Sequence, residues 1–167
     1  IMKVRAYVLL VSVGILVMSA STKKARLSEG NTPGNLAPRI ESLENEREFS
    51  FQNRSGRYTL LNFWAAYDAE SRALNIQLWN EVKKLSSSEI EMISISFDKS
   101  SSVFAETVKT DRLNEENQFR DGMGAESELY GKYALKKGFK NFLIDDQGVI
   151  VAVNVAPDEI SNELSKD

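Results

Sequence analysis

The chain has 167 residues, the size of one ordinary domain, with 42% hydrophobic and 27% charged side chains. Its 21 lysines and arginines against 24 aspartates and glutamates give a net charge of -3, which offers no electrostatic reason to expect nucleic acid as a partner. Cysteine and histidine are both absent, and that excludes disulfides, thiol chemistry, iron–sulfur clusters, cysteine/histidine zinc sites and any Ser-His-Asp or Cys-His catalytic arrangement.

The first twenty residues stand apart. Lys3 and Arg5 precede an apolar run from Ala6 to Met18, broken by Ser12 and Gly14, and Ser19 and Ala20 then supply small residues of the kind signal peptidase prefers. This is a secretory leader pattern. The run of about 13 residues is shorter than the roughly 20 that span a bilayer comfortably. Residues 1–20 are therefore expected to be a signal peptide and the protein to be periplasmic or secreted. The alternative is an uncleaved segment, the one expected contact with a membrane. Residues 21–37, with the basic run Lys23, Lys24 and Arg26 and punctuation at Pro33 and Gly34, read as a linker into a domain over 38–167.

Within the domain, Phe49–Gln52 is a short strand candidate ahead of a turn at 53–57. Tyr58–Ala65 is apolar and aromatic with few polar side chains, as expected of a strand buried on both faces. Helical spacing follows over 69–85, with Ala73, Leu74, Leu78, Val82 and Leu85 on one face. Ile90–Phe97 is a second strand, and Ser100–Ser102 can cap a helix over 103–109. A short helix is expected over 126–133. Strands over 141–144 and 149–153 flank Asp145-Asp146-Gln147-Gly148, a hairpin signal, and Pro157 suits the first turn of a last helix. Strand, helix, strand, helix, hairpin and closing helix make a three-layer α/β domain.

The stretch Phe63-Trp64-Ala65-Ala66-Tyr67 resembles the strand end that precedes the Cys-x-x-Cys motif of thioredoxin-like proteins. Within that family it resembles the secreted, membrane-associated thiol-disulfide oxidoreductases of bacteria, which carry Phe-Trp-Ala-Ser-Trp-Cys-x-Pro-Cys-Arg. Gly34, Ala37 and Pro38 resemble that group's opening, Ile93–Asp98 its second strand, and Tyr133, Asn141–Asp145, Gly148 and Ile150 its closing hairpin. The resemblance implies a thioredoxin-like fold, a central mixed sheet with helices on both faces. Carried across by position, it places the attacking cysteine on Asp68, the intervening proline on Glu70, the resolving cysteine on Ser71, and matches Arg72. The proline that is cis in the family falls near Phe139. Disulfide exchange needs a thiolate to attack sulfur, and neither aspartate nor serine supplies one.

The replacements have a physical reading of their own. Aspartate is among the best helix N-caps, and Glu70 adds negative charge where the helix dipole favours it. A hard-cation site from Asp68, Glu70 and Ser71 would need more oxygen ligands than these. Asp145 and Asp146 resemble part of a calcium loop but fit a hairpin turn better, and Asn53-Arg54-Ser55 is a formal glycosylation sequon. Trp64 is expected in or near the core, with Tyr67 and Phe139 as contact surface. The residues point to a redox-inactive module that binds an unknown protein or peptide, with no cofactor and no metal. The alternative is an oxidoreductase-family protein working with a partner's cysteines.

Overall fold

In the computed structural model, which describes residues 27–41, 43 and 49–166, the apolar run Tyr58–Trp64 forms strand β1 at the centre of a five-stranded sheet. The other strands are β2 (Ile90–Ser96), β3 (Gln118–Arg120), β4 (Asn141–Ile144) and β5 (Ile150–Val153). The helices are α1 (Ala69–Val82), α2 (Ser101–Thr110), α3 (Glu128–Lys132) and α4 (Ile160–Leu164). The sheet order is β3-β2-β1-β4-β5. β1 pairs in parallel with β2, from Tyr58 beside Ile90 to Trp64 beside Ser96, and β2 in parallel with β3. β4 runs antiparallel to both β1 and β5. The sheet is therefore mixed, as expected. The leader expected over 1–20 and the first part of the linker lie outside the described residues.

Alternation along β1 divides the interior. Leu61 and Phe63 face one layer, packing with Ile93, Ile95, Phe142 and Ile144 against Ile40, Phe51, Leu129 of α3 and Tyr133 just after it. Leu60 faces the other, with Leu78 and Val82 of α1, Met92 and Ile160 of α4. Trp64, on the Leu60 side, packs with Val108, Leu113 and Phe104 in a separate cluster that includes α2. Between these two clusters lies a buried polar seam of Asn62, Asn75, Ser94 and Gln118.

The seam corrects the expected face of α1. Ala73 is exposed, and the buried stripe is Ser71, Asn75, Leu78 and Val82. The first half of the helix sits over Asn62 of β1, so its inward positions carry hydrogen-bonding groups instead of apolar ones. The strand expected over 49–52 is reduced to isolated bridges, Ile40 with Phe49 and Gln52 with Gln147. β3 gave no signal in the sequence, being three residues long. Residues 34–37, expected as linker, run along the hairpin: the Gly34 N–H donates to the Ile150 carbonyl at 2.8 Å and the Ala37 N–H to that of Gly148 at 2.9 Å. In the turn itself, Asp145 accepts from the N–H groups of Gln147 and Val149, and Asp146 from that of Gly56. These carboxylates hold a turn together.

Tyr133 ties β1 to the segment at Pro38. It is fully buried, its ring lies 4.7 Å from that of Phe63, and its hydroxyl donates to the Pro38 carbonyl at 2.6 Å. Burial, reinforced by the charge of Glu29, pushes this phenol far above the ordinary tyrosine range. A raised folded-state pKa means that the folded chain holds the proton more tightly than the unfolded one. The stability it contributes is thus whole below pH ~10 and drains as pH rises above that value. Tyr133→Phe is expected to lose about 1 kcal/mol at neutral pH and to show a shallower alkaline decline than wild type. Denaturant midpoints measured between neutral and strongly alkaline pH check this. Parallel curves for the two proteins would exclude Tyr133 as the alkaline group.

Candidate functional site

β1 ends at Trp64, and the chain crosses Ala65, Ala66 and Tyr67 before α1 begins. Asp68 takes the N-cap position with extended backbone (φ -103°, ψ 102°), and its Oδ1 accepts from the Ser71 N–H at 2.8 Å. Ser71 is buried. Its Oγ donates to the Asp68 carbonyl at 3.2 Å and accepts from the Ala65 N–H at 3.3 Å. Asp68 and Ser71 therefore bind each other and the strand end, a cap worth about 1 kcal/mol over alanine. Glu70 is exposed in the same turn, where the helix dipole favours its charge. Arg72 points elsewhere: its Nε and Nη2 donate to both oxygens of Asp111 at 2.7 and 2.6 Å, tying α1 to the end of α2. That hydrogen-bonded pairing raises the Arg72 pKa above its ordinary value.

The aromatic residues separate by role. Trp64 is fully buried, with the Phe104 ring 6.2 Å away, and belongs to the core. Tyr67 is 70% exposed. Its ring lies 6.4 Å from Phe139, which stacks on Phe97 at 6.0 Å with 17° between planes and meets Tyr130 edge-on at 6.2 Å. Partial burial, followed by the proximity of Tyr130, Asp98 and Asp68, raises the Tyr67 pKa. Phe139, Asp68, Glu70 and Ser71 line one cleft of about 200 Å³, completed by Phe63, Leu74, Lys137 and Gly138. At Gly138 the backbone adopts φ 122°, ψ 157°, a conformation reserved for glycine, just before Phe139. No cis peptide bond occurs among the described residues.

Two supporting residues escaped the sequence reading. Asp98 is buried, and its Oδ2 accepts from the Ala66 N–H at 2.9 Å and from the Ser96 hydroxyl at 2.6 Å, so it pins the loop that presents Tyr67. Tyr130 props Phe139 from α3. Asp98 stands at the end of the second strand motif, and that position was the available signal.

A thioredoxin-like protein from Parabacteroides distasonis is 59% identical to this chain, over 83% of it and 98% of the other, with a TM-score of 0.77. A thiol-disulfide oxidoreductase from Bacteroides fragilis is 30% identical, over 79% of this chain and 98% of its own, at 0.62. The thioredoxin domain of a thiol-disulfide oxidoreductase from Bacteroides vulgatus, 20% identical over 81% and 96%, shares the fold at 0.68. No family model matches the chain, and no curated protein matches it.

Proposed function

The chain belongs to the thioredoxin-like family, and from its cysteine-free site we propose that it is a redox-inactive binding module that holds a peptide or protein segment against Tyr67 and Phe139. One observation carries this reading. The positions that the resemblance gives to the cysteines form a closed helix cap, Asp68 to Ser71, and an aromatic pair stands beside them, with Tyr67 exposed. Aromatic side chains presented on a fixed support contribute large contact area at small entropic cost. Asp98 and Tyr130 supply that support. The leader-like composition of residues 1–20 supports a periplasmic or secreted place of work.

Peptides selected by display against the purified chain are expected to bind wild type and to lose at least about tenfold in affinity on Tyr67→Ala or Phe139→Ala, about 1.4 kcal/mol. Selected peptides indifferent to both changes would move the contact surface elsewhere. Disulfide reduction by the purified chain is expected to stay at the buffer rate. Turnover above it would return the protein to the reaction of its oxidoreductase relatives.

A further inference from the structure

The cleft beside the aromatic rim has walls of opposite charge. Asp68 and Glu70 line it from the start of α1 and Lys137 from the facing loop, with Phe63, Leu74 and Phe139 as its apolar surface. None of these three charged side chains has an ion-pair partner among the described residues. The nearby cations are spent elsewhere: Arg72 on Asp111, and Lys99 on Glu126 at 3.6 Å. Asp68 meets the positive end of α1 with Oδ1, which accepts from the Ser71 N–H, and so leaves Oδ2 open. Glu70 is exposed and commits neither oxygen. Lys137 answers one of the two carboxylates, while Lys136 and Lys140 lie outside the lining. The negative side extends to Tyr67, whose pKa is raised by partial burial, by Tyr130, and then by the charges of Asp98 and Asp68.

Resting on the binding reading above, we propose that the segment held at this rim presents an arginine, its guanidinium against the exposed Tyr67 ring and its donors toward Glu70 and Asp68. A guanidinium stacks on an aromatic face and offers a carboxylate a planar fork of charge-assisted donors. Its alkyl stem suits the apolar lining that Phe139 and Leu74 supply. An acidic side chain in the same place would face two carboxylates, with Lys137 alone to receive it. The wall charges thus set the sign of the side chain that enters, and the aromatic ring favours the flat cation over the ammonium of lysine.

The probes are peptides selected by display against the full chain whose binding depends on Tyr67. They are expected to share an arginine. Replacing it by citrulline, a neutral side chain of the same shape, should weaken binding about fivefold, as expected of a cation on an exposed ring joined to a surface ion pair. Glu70→Gln and Asp68→Asn, the second of which keeps a cap oxygen, should each shrink that difference. Lys137→Gln should instead tighten the arginine peptide and leave the citrulline peptide unchanged, a reversal of sign that damage to the fold does not produce. Added salt should weaken the arginine peptide and spare its citrulline partner, a readout that needs no variant. Tyr67-dependent peptides without a shared arginine, equal affinity for arginine and citrulline, or a Lys137→Gln effect in the direction of Glu70→Gln would overturn this proposal and leave the binding reading standing. Selected peptides indifferent to both Tyr67 and Phe139 would overturn the two together.

Discussion

Asp68→Cys combined with Ser71→Cys is expected to give a chain that closes a disulfide across the first turn of α1. Each side chain already meets the other residue's backbone there: Asp68 Oδ1 takes the Ser71 N–H at 2.8 Å, and Ser71 Oγ reaches the Asp68 carbonyl at 3.2 Å. A new thiol at the N-cap would feel the positive end of α1, which lowers its pKa below the ~8.5 of free cysteine and favours the thiolate. The reduced form gives up the carboxylate cap, about 1 kcal/mol, and the oxidised form constrains the same turn covalently. Alkylation after mild oxidation is the measurement. Both thiols should be protected, recover on reduction, and remain open in each single variant. Two thiols that stay alkylatable after oxidation would sink the placement of the family's cysteines at 68 and 71. A reduced pair that attacks a small disulfide substrate, releasing its two thiols and closing the 68–71 disulfide, would show that the frame still supports the chemistry its side chains have lost.

What could be read in the chain was largely local or periodic. The Asp68 cap joins residues three apart, as does the Ser100 cap on Val103, and both follow from side-chain chemistry at a helix start. β1 was legible because burial on both faces leaves few polar side chains in its run. The features that were not legible join residues far apart in sequence: Asp98 with Ala66, Arg72 with Asp111, Asn75 with Gln118. No composition or period marks such pairs before the sheet brings them together. For the same reason Arg72, matched to the family motif by position, gave no sign of its tie to α2. Gly34 and its neighbours have the composition of a linker, and only the folded hairpin supplies their hydrogen-bonding partners.

The least legible of these pairs carries the largest stability effect. Asn75 is fully buried; its Oδ1 accepts from Asn62 Nδ2 at 2.9 Å and from the Ser94 hydroxyl at 2.6 Å, and its Nδ2 donates to Gln118 Oε1 at 3.2 Å. One side chain therefore joins α1 to β1, β2 and β3. Asn75→Ala strands three buried polar groups, each at about 1–3 kcal/mol, so a loss of about 4 kcal/mol is expected from a total of roughly 5–15. Asn62→Ala should cost less, since it removes one of the three bonds. The double variant should fall short of the sum by about 1 kcal/mol or more, because the shared bond is lost only once. Urea midpoints at unchanged slope give these values. An Asn75→Ala loss below about 1 kcal/mol, additive with Asn62→Ala, would reduce the seam to filler. The distinction bears on the site, because the two halves of α1 are held differently. Leu78 and Val82 anchor its end by apolar packing, whereas Ser71 and Asn75 anchor its start by hydrogen bonds. Such bonds depend on geometry as apolar contact does not, so the seam sets where α1 begins and thereby the position of the Asp68 cap beside the aromatic rim.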